Sequence, residues 1–153
     1  MLDVQEDGSA LAADRIGERP KVQHCPSTVK KDGLYYWFGS KLTGWYTNDN
    51  MYATASDLHG PWSEWRTFAP LGTQTFDSQV DIVIPLGDDP YDSDRFLFIG
   101  DRWYRNDLGN SPIVQVPIEI GGGEAAMEWD DPFEGSTHRE VPDDHEPITD
   151  PNV

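Results

Sequence analysis

The feature that most constrains the fold of this chain is a series of short β-prone runs, each ended by turn residues. Runs of about four to eight residues between Gly, Pro, Asn and Asp are typical of strands in all-β proteins. Every Trp, Tyr and Phe lies between Tyr35 and Phe133, so we expect the packed core there. The pattern predicts an all-β fold with strands at 20–25, 34–41, 51–56, 65–68, 80–86, 95–100, 113–120 and 126–129.

The turns between these runs indicate hairpins. Asp32-Gly33 precedes the aromatic run that begins at Leu34, and Gly accepts a positive φ angle without steric cost. Gly60-Pro61 ends another run in the same way. Strand, turn and strand at this spacing fit a propeller blade or a meander sandwich, and no internal repeat decides between them.

The two ends of the chain differ from this middle region in composition. Residues 1–17 are rich in Asp, Glu, Ala and Gly without an apolar period, so we expect a connector. Residues 134–153 are rich in Pro, Asp and Glu, and their few apolar side chains cannot offset the entropy lost on ordering. We therefore expect one domain over residues 18–133, followed by a disordered acidic tail.

The charge of the chain excludes two classes of partner. Asp and Glu number 28 against 11 Lys and Arg, which gives a formal net charge of −17. Nucleic-acid binding needs cations that neutralise phosphates, and anionic membranes attract a basic face, so we expect neither partner. An acidic surface also keeps a protein hydrated in concentrated salt, so a halophilic source is one hypothesis and an ordinary acidic surface the other.

Cysteine, histidine and hydropathy narrow the classes further. Cys25 is the only cysteine, so no intrachain disulfide can form, and we expect a small buried side chain there. The four histidines show no metal-ligand spacing, which argues against zinc. The sequence has neither a signal-peptide pattern nor an apolar run of the roughly 18 residues that a membrane span needs, and the localisation stays open.

Two polar segments in the first half of the predicted domain could carry chemistry, and each has a structural alternative. Glu18 precedes a predicted strand, where it could donate a proton to a leaving oxygen or remain a solvated turn residue. The loop 40–50 holds Trp45 and Tyr46 among Thr, Asn and Asp side chains. This composition fits a sugar platform as well as a surface hairpin.

Two further polar segments lie at strand ends. The run 73–81 opens an apolar strand, where polar side chains either line a central site or satisfy local turns. Asp101-Arg102 follows the apolar run 95–100, and this expected ion pair could orient a sugar hydroxyl or only close the strand. The sequence contains no nucleophile elbow, dinucleotide fingerprint or phosphate-binding loop.

Taken in order, these segments resemble the second half of a family 43 glycoside hydrolase of the exo-β-1,3-galactanase kind. The resemblance extends from about Glu18 to Trp129. Each matching motif alone is weak, but seven in this order with loop-sized gaps are specific. The motifs are Glu18-Arg19-Pro20, Gly33-Leu34-Tyr35-Tyr36, residues 40–46, Gly60-Pro61-Trp62, residues 75–79, Gly100-Asp101-Arg102-Trp103 and Leu108-Gly109-Asn110-Ser111.

The resemblance implies a fold and a reaction. The family has a five-bladed β-propeller, of which this chain would supply roughly the last two or three blades. Its members hydrolyse glycosidic bonds, here those of β-linked galactan or related side chains, with inversion. Glu18 would be the general acid, and Gln79, to which some members give an unusual base role, would act on the attacking water. The sugar would be bound by Thr43, Gly44, Trp45, Tyr46, Asp77, Asp101, Arg102 and Trp103.

The resemblance also implies what this chain lacks. The family usually has an Asp base in its first blade and a pKa-tuning Asp in its second, and the sequence begins after both. Because a half-ring leaves open strand edges, we expect self-association or a separate N-terminal half. No cofactor is required, although calcium lies in the propeller channel of some members. Full-length relatives are often secreted.

Three functions stay open at this stage. The first is an inverting glycosidase fragment that acts on an oligo- or polysaccharide. The second is a non-catalytic carbohydrate-binding remnant, and the third is a structural β-domain without a ligand. Arg19 and Lys21 stand beside Glu18 where typical members have apolar residues, so the local field that sets the pKa of this acid differs from the family's.

Overall fold

A computed structural model describes residues 27–87, 93, 95–104 and 106–129. Glu18, Cys25, the expected connector and the expected acidic tail lie outside the described residues. The described part contains two four-stranded antiparallel sheets. Their strands are β1 (Ser27–Lys31), β2 (Leu34–Gly39), β3 (Met51–Ala55) and β4 (Arg66–Thr67), then β5 (Gln79–Leu86), β6 (Arg95–Asp101), β7 (Ile113–Gly121) and β8 (Glu124–Ala126).

The first sheet is a meander in chain order, β1-β2-β3-β4. Lys31 pairs with Leu34 across a two-residue turn, in which Asp32 and Gly33 have φ angles of 52° and 77°. Positive φ at both central residues matches the right-handed twist of the two strands, so the turn sets the hairpin register. The hairpin expected from Asp32-Gly33 is confirmed.

The second sheet has the same meander order, β5-β6-β7-β8. Its first strand contains a bulge between Val80 and Ile82, so that Val80 pairs with Gly100 while Ile82 pairs with Ile99. The bulge lets both Val80 and Val83 face the core, although their spacing of three would otherwise place them on opposite faces. The strand expected at 126–129 starts two residues earlier, as β8 (Glu124–Ala126), because the pairing with β7 begins at Glu124.

An aromatic layer fills the space between the two sheets. Phe68 packs edge-on against Phe38, with ring centroids 5.3 Å apart, and its other neighbour is Phe98 at 5.7 Å. The Phe98 ring lies over Gly100, where a β-carbon would come within 2.7 Å of it. Glycine at this position therefore lets the ring reach the centre of the core.

Side chains also join the sheets at their edges. The Ser27 hydroxyl accepts a hydrogen bond from the backbone N–H of Val83 at 2.8 Å, which ties β1 to β5. At the far edge, Arg66 pairs with Glu124 at 2.5 Å, and the Tyr52 hydroxyl donates to the same carboxylate at 3.0 Å. These hydrogen bonds hold the pKa of Glu124 below its usual value.

Two stacked four-stranded meanders with almost no helix are part of a β-propeller, as expected from the resemblance. The innermost strands β1 and β5 lie beside each other, which is the arrangement of neighbouring blades. In the part of the chain that the structure describes, no helix has the length and apolar character needed to cross a membrane.

Candidate functional site

Three segments from the two sheets meet at one edge of the molecule. They are the loop 40–50 between β2 and β3, the connector 70–78 that leads into β5, and the turn that follows β6. Hydrogen bonds between side chains and backbone, rather than apolar packing, hold the three segments together. All the predicted site residues except Glu18 lie on these segments, on the first residue of β5 or on the last residue of β6.

Gln79 is the first residue of β5 and lies at the centre of this edge. Its side chain is 5% exposed. The amide nitrogen Nε2 donates hydrogen bonds to the carbonyl oxygens of Gly44 at 3.0 Å and Tyr46 at 2.8 Å. Within the described residues, its Oε1 atom has no hydrogen-bond partner. A buried amide with one satisfied end and one available acceptor can therefore bind a water or a hydroxyl group.

Trp45, whose flanking carbonyls bind this amide, forms an aromatic pair with Trp103. Their ring centroids are 4.6 Å apart and their planes meet at 79°, which is an edge-to-face contact. Trp45 is 59% exposed, whereas Trp103 is half-buried. The two residues come from different sheets, so the pair bridges the two blades at the solvent surface.

The connector into β5 contains a short left-handed helical turn, α1 (Gln74–Asp77), in which four consecutive residues have φ angles between 51° and 57°. None of them is glycine, and the left-handed conformation costs such residues roughly 1–2 kcal/mol each. Strain of this kind persists only where surrounding contacts enforce it, and it concentrates at functional sites.

Asn50 makes several of the contacts around this turn. Its side chain is buried, and it donates from Nδ2 to the carbonyls of Asn48 and Ser78 at 2.7 and 3.1 Å. Its Oδ1 accepts from the backbone N–H of Val80 at 2.6 Å, and its own backbone N–H donates to the Thr75 hydroxyl at 2.7 Å. One asparagine thus ties the loop 40–50 to both ends of the turn.

Two neighbours of Asn50 bind the start of the turn. The carboxylate of Asp49 accepts hydrogen bonds from the backbone N–H groups of Gly72 at 3.0 Å and Gln74 at 2.9 Å. The Thr47 hydroxyl contacts the Gln74 side-chain amide oxygen. Sequence reasoning did not single out Asp49, Asn50 and Thr75, although the polar run Asn48-Asp49-Asn50 directly before β3 is a usable signal.

Arg102 binds the end of the turn instead of its sequence neighbour. Its guanidinium donates from Nη2 to the Phe76 carbonyl at 2.5 Å and from Nε to the Asp77 carbonyl at 3.4 Å. The described residues show no ion pair between Asp101 and Arg102, so this expectation was wrong. Successive side chains of a strand end point to opposite faces, which keeps the two charges apart.

Asp101 lies directly across the sheet from Gln79, as its register partner. Burial raises the pKa of the Asp101 carboxyl, and the nearby negative charge of Asp81 raises it further. A carboxyl with a raised pKa beside a buried amide is typical of a binding site, although structural carboxyls show such shifts as well.

The other predicted contact residues have structural partners. The Thr43 hydroxyl donates to the Tyr46 carbonyl at 2.6 Å and accepts from the Asn48 amide at 2.7 Å, so both its bonds lie inside the loop. Gly44 takes a φ angle of 64°, which shapes the turn before Trp45. Asp77 is half-buried at the end of α1. The edge therefore combines Gln79, Asp101, Arg102 and the Trp45–Trp103 pair.

The described residues hold no group of three or more His, Cys, Asp and Glu side chains that could bind a metal ion. Calcium, which some members of the family hold in the propeller channel, therefore has no acidic ligand cluster in this part of the chain. The described groups at this edge are hydrogen-bonding amides, the Asp101 carboxyl and two aromatic rings.

No protein-family model and no curated protein matches the chain, whereas several solved structures do. A protein of Bifidobacterium bifidum s17 assigned as an exo-β-1,3-galactanase is 63% identical, with a TM-score of 0.71, over 78% of this chain and 42% of its own. An exo-β-1,3-galactanase from Phanerochaete chrysosporium, solved with β-1,3-galactotriose, is 34% identical over 67% of this chain and 23% of its own, with a TM-score of 0.60.

A third match is a family 43 β-1,3-galactosidase solved with galactodeoxynojirimycin, which is 26% identical, with a TM-score of 0.63, over 71% of this chain and 31% of its own. The chain spans less than half the length of each of these relatives. These matches confirm the resemblance drawn from the sequence motifs. Over the matched part, this chain has the fold of the family 43 glycoside hydrolases of the exo-β-1,3-galactanase kind.

Proposed function

We propose that this chain supplies the sugar-binding side of a glycoside hydrolase site that removes galactose from the end of β-1,3-linked galactan. The observation that carries the proposal is the Trp45–Trp103 pair, which lies with Gln79 and Asp101 on one edge of a fold shared with exo-β-1,3-galactanases. Two relatives solved with galacto-oligosaccharide or a galactose-like inhibitor support the substrate class.

The aromatic pair is suited to a pyranose. The exposed Trp45 ring offers an apolar face to the C–H side of the sugar, while Trp103 fixes the ring from its edge. Asp101 and the Oε1 of Gln79, which has no hydrogen-bond partner among the described residues, can accept hydrogen bonds from sugar hydroxyls or from water. A site of this kind binds a neutral polar ligand without needing positive charge, which agrees with the acidity of the chain.

The proposed reaction is an inverting hydrolysis. Glu18 donates a proton to the leaving oxygen while a water attacks the anomeric carbon from the opposite face, and this water needs about 6.5–9.5 Å between the two catalytic groups. Gln79 contributes Oε1 as an acceptor that orients the water. A neutral amide orients better than it removes a proton, so a carboxylate on a further blade is the base.

The further blades have to come from a segment or chain beyond the two sheets. The outer face of the second sheet exposes two large apolar side chains, Ile82 and Ile113. A neighbouring blade would cover these side chains and bring its own strand ends to the same edge. Self-association is the alternative source of that blade.

A second function, non-catalytic carbohydrate binding, is favoured by one observation. The aromatic pair and its supporting hydrogen bonds are complete within the two described sheets. Such a unit could hold a galactan chain end without hydrolysing it. Glu18 is required for hydrolysis, whereas sugar binding alone does not need it.

Galactose release from β-1,3-galacto-oligosaccharides by the purified chain, in low and molar salt, tests the proposal. We expect Glu18→Gln to lower the rate by at least about 100-fold, because a general acid contributes about 10²–10⁴-fold, while the exposed Glu64→Gln serves as control. Trp45→Ala should weaken binding in either function. Binding without release in either salt would support the binding function, and unchanged affinity in Trp45→Ala would contradict both.

A further inference from the structure

The amide nitrogen of Gln79 has a task that differs from that of its oxygen. Its two N–H groups bind the carbonyls of Gly44 and Tyr46, which are the residues on either side of Trp45. We propose that Gln79 is a positioning residue that fixes Trp45 against Trp103 and thereby sets affinity for the terminal sugar. The part of this inference that concerns sugar rests on the proposed function, whereas the part that concerns the loop does not.

The loop has little else to hold Trp45 in place. The indole is largely exposed, so burial contributes little to fixing it. Within the loop, Tyr46 donates its backbone N–H to the Thr43 carbonyl at 3.2 Å, and the Thr43 hydroxyl binds the Tyr46 carbonyl. These bonds shape the loop, but among the described residues only Gln79 connects the carbonyls beside Trp45 to the second sheet.

Gln79 itself is anchored firmly enough to act as a fixed point. Its backbone pairs with Asp101 in the first position of β5, and the next residue, Val80, donates its N–H to the buried Asn50 side chain at 2.6 Å. The strained turn α1 ends just before it and is held by Arg102. The amide therefore projects from rigid backbone onto the two carbonyls that flank the exposed Trp45.

Glutamine is the residue type that this task requires. Two carbonyl oxygens need two N–H donors from one side chain, and Glu has none when it is ionised. In Gln79→Glu, a carboxylate would face two carbonyl oxygens and push the loop away. Leu would fill the space without repulsion but would leave both carbonyls unpaired. The two variants therefore separate lost hydrogen bonds from added charge.

The first test needs no sugar. Amide hydrogen exchange at Tyr46, whose N–H closes the loop, is measured in the full chain and in Gln79→Leu and Gln79→Glu. We expect protection of Tyr46 to fall about tenfold or more in both variants, since each variant loses both hydrogen bonds that hold the loop to β5. Gln115 on β7 is half-buried and away from the loop, so Gln115→Leu and Gln115→Glu are the matched controls.

Acidification adds a readout that a general loss of structure would not produce. In Gln79→Glu, the introduced carboxyl group regains one donor when it is protonated, so protection of Tyr46, corrected for the intrinsic exchange rate, should partly return at low pH. Gln79→Leu has no proton to gain and should show no return. Equal protection of Tyr46 in the wild type and in both variants would overturn the inference.

The second test concerns the sugar. We expect Gln79→Leu to bind β-1,3-galactobiose about tenfold more weakly, and the loss to be absent when Trp45 is already Ala, because Gln79 acts through that ring. Fully additive losses would overturn this part. If the wild type binds no galactobiose, the proposed function fails, and the Tyr46 exchange result alone decides whether Gln79 positions the loop.

Discussion

The two sheets meet in two different ways, in an apolar layer at the middle and in a polar joint at one edge. The apolar layer is built from rings such as Phe38, Phe68 and Phe98, whose contacts have little direction. The polar joint is built around Asn50 and Gln79, where every bonded atom has a defined donor or acceptor. The first joint holds the blades together, and the second determines where the site residues lie.

The two joints differ in the substitutions that they tolerate. Apolar interiors accept exchanges that conserve volume, with a loss of usually less than about 1.5 kcal/mol. A buried polar network instead loses about 1–3 kcal/mol for each group that is left unsatisfied, whatever the size of the replacement. The polar joint also holds α1 in its left-handed conformation, so its hydrogen bonds offset strain as well as desolvation.

The largest effect is expected from the apolar joint. Phe98→Ala removes a fully buried ring and should lower the free energy of unfolding by about 3–5 kcal/mol, as measured by urea denaturation. Leu71→Ala, at a side chain that is 80% exposed, should change it by less than about 0.5 kcal/mol. If Phe98→Ala lowered the free energy of unfolding no more than Leu71→Ala, the apolar layer would not be what holds the blades together.

A smaller effect on stability, which does not depend on the size of the new side chain, is expected from the polar joint. Asn50→Leu keeps the number and branching of the side-chain heavy atoms yet leaves the carbonyls of Asn48 and Ser78 without a donor, so we expect the free energy of unfolding to fall by about 2–4 kcal/mol. Asn50→Ala should lower the free energy of unfolding by a similar amount. Asn106→Ala, at an exposed position, should leave it almost unchanged. If leucine restored stability relative to alanine, the joint would be held by packing after all.

The smallest effect is the pH dependence of stability that Asp101 causes at the candidate site. The pKa of Asp101 is raised in the folded state by burial and then by Asp81, so its contribution to stability is greatest below the unfolded value of about 3.9. It is lost as the pH rises through the folded value. Asp101→Asn should flatten this decline and be more stable than wild type at neutral pH.

Urea titrations at several pH values measure this difference, with Glu119→Gln on the exposed side of β7 as the carboxylate control. The expected gain is smaller than either preceding effect, because Asp101 is only half-buried and solvent screens its charge. A variant that is less stable than wild type across the whole range would show that the carboxylate makes a favourable contact.

Sequence reasoning predicted the apolar joint better than the polar one. The aromatic runs and the Asp32-Gly33 turn follow from local period and local φ preference, and they lie where expected. The side-chain hydrogen bonds of Asn50 to Ser78 and Val80, and those of Gln79 to Gly44 and Tyr46, span between 28 and 35 positions, which no local pattern encodes. Arg102 was assigned to its neighbour Asp101, because adjacency in sequence does not reveal which carbonyls lie across the joint.

The bulge between Val80 and Ile82 separates β5 into two parts that can change independently. Residues after it, such as Val83, keep the alternation that the core demands, whereas Gln79 and Val80 follow a register of their own. A protein family could therefore vary the strand entrance, and with it the ligand that is recognised, without altering the pattern that folds the blade.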